Sequence, residues 1–171
     1  MTNDTTKKLQ EDLKITNVMA IPRLKKIVVN IGIKKADGEK ALDVAENVLT
    51  MITGQKPKVT TAKKSISSFK LREGDKIGLV VTLRGKRMSD FYSKLVNVAL
   101  PRVKDFRGVN NTSFDTKGNY TLGLSEYTVF PEVDTGKIDR VQGLEICVVT
   151  SAKDRKEAYA LLKATGMPFV K

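Results

Sequence analysis

The chain has 171 residues, of which 40% are hydrophobic, a size and composition typical of one folded domain rather than a disordered segment. Its formal charge of +12 is unevenly spread, because residues 23–108 hold 20 basic and 8 acidic side chains while the segments on either side are balanced. Charge confined to one part of a chain favours a polyanionic partner. We favour nucleic acid over a membrane surface, since no basic helix with a strong apolar face is present and no segment approaches the ~20 apolar residues of a membrane span.

The residue types of common enzyme chemistry are missing. The chain has no histidine and one cysteine, Cys147, in the apolar stretch LEICVV, where a reduced core thiol is expected. These counts exclude a disulfide framework and a Cys/His zinc site. No paired carboxylates, nucleophile with a base, or phosphate-binding glycine loop can be found. We predict no enzyme activity, no metal and no cofactor, and a cytoplasmic location, because the N-terminus has no apolar signal core.

The first strongly patterned element follows a short predicted helix over residues 6–14. Residues 21–33 alternate as a strand does. The core face would carry Ile27, Val29, Ile31 and Ile33, and the other face Lys26, Val28, Asn30 and Gly32. Such a polar face packs poorly, but it can donate to phosphate or sugar oxygens, and its glycine permits close approach. An ordinary solvated sheet face explains the pattern equally well.

A basic segment, residues 55–76, separates this strand from a second one with the same two faces. We predict a strand near residues 65–72, a tight turn at 73–75, and the second strand over 77–85, so that the two strands form a hairpin with a mobile contact loop. The outward residues of the second strand are Gly78, Val80, Thr82 and Arg84. Phe69, between Ser68 and Lys70, either packs in the core or stacks on a base.

The remaining pattern completes an α+β fold. Helices are predicted over residues 37–53, where Asp37 is the cap, and over residues 88–100. A final helix is predicted after the capping-box pattern of Ser151 and Asp154. Strands are predicted near residues 120–130 and 144–149. This order predicts a mainly antiparallel sheet with helices packed on one face and a free polar RNA-binding face. No linker divides the chain, so residues 1–171 are predicted to form one domain.

Eight segments, in order, resemble a known family. They are NVMAIPRLKKIVVNIGI (17–33), TGQKP (53–57), AKKSISSFKLREG (62–74), VTLRGKRM (81–88), LPRVKDFRGV (100–109), SFDTKGNYTLGL (113–124), FPEVD (130–134) and ATGMPF (164–169). The chain is identified as similar to the fifth protein of the large ribosomal subunit, whose members bind 5S ribosomal RNA. Residues 1–16 then form a short N-terminal extension, where the family usually has a longer helix.

The resemblance implies a ribosomal protein of the central protuberance that binds 5S rRNA through the free sheet face. Its neighbours would be large-subunit rRNA and other ribosomal proteins. The family's 5S RNA contacts fall here on Asn30, Gln55, Phe69 and Thr82, two of which strand alternation had already selected. Basic residues expected to neutralise phosphates are Lys26, Lys63, Lys64 and Arg84.

Two further contacts are implied by the resemblance. The hairpin would reach the peptidyl-site (P-site) tRNA through Arg72, Gly74 and Lys76, although its turn reads GDK where the family usually has an aromatic residue and a proline. The segment 131–143 would bridge to a small-subunit protein. Its residues assigned to that bridge are Pro131, Asp134, Lys137 and Arg140.

Three other readings of the residues stay open. A nonspecific basic RNA chaperone would bind any structured RNA equally well. An enzyme acting on RNA would need a base or metal site, and neither is present. A scaffold that binds only proteins has no need to confine twelve net charges to half its length.

Overall fold

A computed structural model describes residues 3–34, 38–133 and 141–170. The helices are α1 Asn3–Leu13, α2 Gly38–Thr53, α3 Gly85–Lys94 and α4 Arg155–Ala164. The strands are β1 Leu24–Gly32, β2 Lys58–Thr61, β3 Lys76–Leu83, β4 Tyr120–Leu124 and β5 Leu144–Thr150. The predicted α+β fold is confirmed, and the predicted cap residue Asp37 lies outside the described residues.

The five strands form one sheet in the order β2-β3-β1-β5-β4, with every neighbouring pair antiparallel. The central strand is β1, in which Val28 pairs with Thr82 of β3 and with Cys147 of β5. Residues directly opposite each other share a face. One face is therefore largely apolar, and eight of its side chains are at most 1% exposed: Ile27, Val29, Ile31, Leu79, Val81, Leu83, Ile146 and Val148.

The helices pack on this apolar face. α2 contacts β3, α3 contacts β1, and Leu162 of α4 joins the same core, while α1 packs on α4 through Leu9 and Leu161. The Tyr92 hydroxyl of α3 and the Thr165 hydroxyl at the end of α4 lie 2.8 Å apart, and burial raises the pKa of Tyr92 to about 12 although this hydrogen bond lowers it. The described helices leave the second face of the sheet open. None of these helices is both long and apolar enough to cross a membrane.

The hairpin differs from its prediction. The strand expected at residues 65–72 is wrong, because the partner of β3 is β2, where the β-branched run Val59, Thr60 and Thr61 favours a strand. Residues 62–75 form a long loop whose base is closed by hydrogen bonds from the Ala62 N–H to the Asp75 carbonyl and from the Gly74 N–H to the Ala62 carbonyl. The predicted turn at 73–75 therefore lies at the base of this hairpin loop.

The tip of the hairpin loop is formed by residues 67–70. Ile66 and Leu71 exchange two backbone hydrogen bonds, of 2.9 and 3.0 Å, and the 3₁₀ turn Ser67–Phe69 closes the chain between them. Lys70 completes the turn at a φ of +50°, in the left-handed region. Two sets of backbone hydrogen bonds therefore hold the loop together below its tip, one at the base and one between Ile66 and Leu71.

Element boundaries also differ from prediction elsewhere. The strand predicted over 120–130 ends at Leu124, because the chain then enters a 3₁₀ turn, Tyr127–Val129, which buries Tyr127. The helix predicted over 88–100 begins with Gly85 and widens into a π-helical stretch, Leu95–Ala99, before the turn that contains Pro101. The predicted helix over 6–14 and the strand at 144–149 are confirmed as α1 and β5.

The start of α4 is capped by Asp154 and not by Ser151. The Asp154 carboxylate accepts from the Glu157 N–H at 2.9 Å, and the Glu157 carboxylate accepts from the Lys153 N–H at 2.9 Å. Ser151 instead accepts from the Arg23 N–H at 2.9 Å, and its own N–H donates to the Arg23 carbonyl. It therefore joins the end of β5 to the segment entering β1.

Replacing the cap residue, Asp154→Ala, should lower the free energy of unfolding by about 0.5 to 2 kcal/mol, because an N–H at the first turn of α4 loses its acceptor. Urea denaturation followed by circular dichroism measures this loss. Lys156→Ala, an exposed substitution in the same turn, is the matched control and should stay within about 0.5 kcal/mol of the parent. Equal stability of the two variants would contradict the cap.

Candidate nucleic-acid interface

The open side of the sheet, termed the free face, is built by all five strands. It carries Lys26, Val28, Asn30 and Gly32 of β1; Gly78, Val80 and Thr82 of β3; Lys58 and Thr60 of β2; Glu145, Cys147 and Val149 of β5; and Thr121 and Gly123 of β4. The two polar strand faces predicted from alternation are confirmed, and they lie side by side. Asn30 and Thr82 stand on adjacent strands, two residues apart in register.

Positive charge lies at the margins of the free face. The register that pairs Ile27 with Leu83 brings Lys26 and the exposed Arg84, which follows β3, to one end of the sheet. Lys58 stands on the outer strand. The hairpin loop leaves the opposite end of the sheet, and its exposed basic residues are Lys63, Lys64, Lys70 and Arg72.

The middle of the free face is nearly uncharged. Around Asn30 lie Val28, Val80 and Cys147, which are all half-buried, and one charged residue, the exposed Glu145. The other neighbouring positions are threonines and glycines. Such groups cannot neutralise phosphate. This arrangement suits contact with sugars and base edges in the middle and with phosphates at both ends.

Gln55 is held next to the same surface, beyond the end of α2. Its side-chain amide donates to the Thr82 carbonyl at 3.4 Å, and the Arg87 guanidinium donates to its carbonyl oxygen at 3.5 Å. Gln55 thus lies beside the end of β3, the strand whose Thr82 side chain is on the free face.

Phe69 does not pack in the core. It is 73% exposed at the tip of the hairpin loop, and nearby Ile66 is 43% exposed. An aromatic side chain exposed among lysines and serines is available for stacking on a base.

The residues assigned to the tRNA do not lie at the tip of the hairpin loop, and most of those assigned to the small-subunit bridge lie outside the described residues. Arg72 and Gly74 lie at the base of the hairpin loop, where the Arg72 N–H donates to the Asp75 carboxylate at 2.7 Å, and Lys76 already begins β3. Their expected position at the tip is wrong. Of the bridge residues, Pro131 is exposed, and Asp134, Lys137 and Arg140 lie outside the described residues.

Sequence reasoning missed what β5 and β4 add to the free face. Cys147 is half-buried there, 3.3 Å from the Thr121 hydroxyl, so its expected place in the core is wrong. The alternation of Leu144, Ile146 and Val148 toward the core could have revealed this, but valines on both faces obscure it. Within the described ranges, no group of three or more acidic or thiol side chains is arranged to hold a metal ion.

The exposure of Phe69 gives a stability test. Phe69→Ala should leave the free energy of unfolding within about 0.5 kcal/mol of the parent, because the ring makes little contact with the core. Phe91→Ala, at a ring that is 2% exposed, should cost about 3 to 5 kcal/mol. Chemical denaturation checks both, and a large loss for Phe69→Ala would show that the tip folds back onto the domain.

Known proteins resemble this chain along most of its length. A family model for ribosomal protein L5 matches residues 17–72, and a second model, for the C-terminus of the same ribosomal family, matches residues 76–169. The large ribosomal subunit protein uL5 of Chloroflexus aurantiacus is 57% identical over 162 residues, covering 94% of this chain and 90% of that protein. The uL5 proteins of Syntrophomonas wolfei and Heliobacterium modesticaldum are 54% and 60% identical, covering 97% and 90% of this chain and 94% and 86% of their own lengths. The chain therefore belongs to the ribosomal protein L5 family.

Proposed function

We propose that this protein is a structural component of the large ribosomal subunit that binds 5S rRNA in the central protuberance through its free face. Family membership supports the ribosomal role. The observation that supports the RNA contact is the free face itself, an open five-stranded surface with basic residues at its ends and none in its middle. Asn30 and Thr82, which the family resemblance assigns to 5S rRNA, lie on this face, and Gln55, which it assigns to the same RNA, hydrogen-bonds to the Thr82 carbonyl.

The proposed binding mode divides the work between the ends and the middle of the free face. Lys26 and Arg84 neutralise phosphates at one end, and Lys63 and Lys64 do so at the other. The span of β1 from Lys26 to Gly32 is roughly 20 Å at the usual strand rise. Two separate stretches of RNA backbone are therefore contacted, with the middle of the face between them. Phe69 adds a stacking contact beyond the end of the sheet.

The proposal extends to two further partners. The hairpin loop contacts the P-site tRNA, with Arg72 and Lys76 as the charged groups and Gly74 allowing close approach. The segment 131–143 bridges to a small-subunit protein, and its nearly balanced charge suits a protein partner better than RNA. Contacts with large-subunit rRNA use the basic surface that the 5S RNA leaves free.

Specific binding should show itself in a salt series. The purified protein should prefer 5S rRNA to an unrelated folded RNA of equal length, and the preference should persist as salt rises, because base and shape contacts are less sensitive to salt than phosphate contacts. Filter binding or fluorescence anisotropy measures both affinities. Equal affinities that fall together would favour the nonspecific chaperone.

Single substitutions test whether the free face is the binding surface. Asn30→Ala and Thr82→Ala should each weaken 5S rRNA binding by about 1 to 3 kcal/mol, the range for a good base-edge contact. The matched control is Asn47→Ala, which removes an exposed amide from α2 on the helix side. Unchanged affinity in both face variants, with their thermal stability intact, would refute the assignment.

The tRNA contact can be tested with cleavage probes on assembled ribosomes. Hydroxyl-radical probes attached to Ser68→Cys at the loop tip and Glu73→Cys at its base, both in a Cys147→Ser background, should cleave P-site tRNA near its elbow. The stronger cleavage identifies which end of the hairpin loop is closer to the tRNA. Absence of tRNA cleavage from both positions would contradict the contact.

A further inference from the structure

The middle of the free face holds one acidic side chain, Glu145 of β5. It is exposed, and the register places it directly opposite Asn30 on one side and Gly123 on the other. Among the residues that the structure describes, no Lys or Arg lies within ion-pair distance of its carboxylate. The Cys147 thiol, a weak donor, lies 3.9 Å from the Glu145 carboxylate.

A carboxylate here is costly for a surface that binds a polyanion. In the middle of an RNA interface the carboxylate loses its bound water and repels phosphates. Donors on the RNA can offset this cost by replacing the lost hydrogen bonds. The phosphates of RNA carry no donors, whereas base edges and sugar hydroxyls do. A base edge or sugar hydroxyl that donates to the Glu145 carboxylate would offset this cost.

Asn30, the neighbour of Glu145 on β1, narrows the choice of RNA group that can donate to this carboxylate. Asn30 and Glu145 are directly opposite each other, so their Cβ atoms are roughly 5 Å apart and their polar ends can reach one base. An amide can donate, and a carboxylate offers two acceptor oxygens. Guanine is the standard base whose Watson–Crick edge presents one acceptor, O6, next to two donors, N1–H and N2–H₂.

Gly123 on the other side of Glu145 leaves its carboxylate uncovered. The φ of this glycine lies outside the left-handed region, and a Cβ placed on it would meet nothing within 4 Å. The fold therefore imposes no need for glycine at this position, where it weakens the strand. What its missing side chain does provide is open space beside Glu145.

We infer that Glu145 and Asn30 together recognise the Watson–Crick edge of an unpaired guanine, with Glu145 as the residue that determines specificity. The Glu145 carboxylate accepts from N1–H and N2–H₂, and the Asn30 amide donates to O6. This inference rests on the proposed binding of 5S rRNA by the free face. It assigns a reading role to a residue outside the basic part of the chain.

The sign of one charge substitution tests the inference. Glu145→Gln should weaken 5S rRNA binding at least tenfold, because two acceptors are replaced by one acceptor and one donor that faces guanine donors. If the carboxylate were only a bystander, the same change would tighten binding by removing a negative charge. Glu11→Gln on α1, on the helix side, is the matched control and should leave binding unchanged.

Inosine interference mapping identifies the base. A pool of 5S rRNA with inosine replacing guanine at random positions is bound to the protein, and positions where loss of the 2-amino group prevents binding are mapped. The parent should show interference at one or more unpaired guanines, and in Glu145→Gln this signal should disappear. Identical maps for the two proteins, or binding by Glu145→Gln that equals or exceeds the parent's, would overturn the inference. Failure of the parent to prefer 5S rRNA would instead overturn the proposed function.

Gly123→Val provides a second variant that should keep its fold. The added side chain has space and a β-branched residue favours the strand, so the melting temperature should not fall. Binding should weaken, because valine covers Glu145. The double variant with Glu145→Gln should bind no more weakly than the weaker single variant, since both changes remove the same contact. Full additivity, or undiminished binding by Gly123→Val, would contradict the role given to the open space.

Discussion

The register of the central strand is the constraint on which the other features depend. β1 is paired on both sides, with β3 and with β5, and the apolar residues of all three strands are buried together under the helices. Because side chains alternate, a slip of one residue would bury Lys26 and Asn30 and expose Ile27 and Ile31. The same hydrophobic effect that forms the core therefore sets the spacing of every group on the opposite face.

This constraint converts an uneven charge along the chain into an arrangement in space. The basic part of the chain supplies β1, β2, β3 and the hairpin loop, and the balanced C-terminal part supplies β5 and β4, so the two parts meet on one sheet. In the proposed binding mode, long-range attraction for RNA comes from the margins. Discrimination between RNAs is assigned, in the same proposal, to the middle of the face, where Asn30, Glu145 and neutral groups are directed outward.

The parts that could be predicted from the sequence have an unambiguous period. In β1 and β3 the core-facing positions are all apolar, and the other face has one valine in each strand among lysine, asparagine, glycine and threonine. The two faces, and with them the positions of Asn30 and Thr82, are therefore predicted correctly. The segment 55–76 has no sustained apolar period. The sequence predicts its strand at residues 65–72, whereas the structure forms it from the β-branched residues around Thr60. In β5, the outward face carries valine and cysteine, which are residue types common in a core. The prediction that Cys147 lies in the core is wrong for this reason.

Local chemistry allowed two solutions at the start of α4, and the tertiary structure selected one of them. Ser151 and Asp154 are both good cap residues, three positions apart. The hydrogen bonds between Ser151 and Arg23 link the end of β5 to the start of β1, and Asp154 is left to cap the helix. Such long-range partners cannot be read from a short stretch of sequence. The exposure of Phe69 is a similar case, because it depends on where the hairpin loop ends.

The position of Cys147 also makes the protein its own reporter. It is the chain's one thiol, and it stands half-buried on the free face, between Val28 and Thr121. Any molecule that lies on this face covers it. The rate at which a small alkylating reagent modifies the unaltered protein therefore measures how much of the face is occupied, during assembly as well as at equilibrium, without any introduced label.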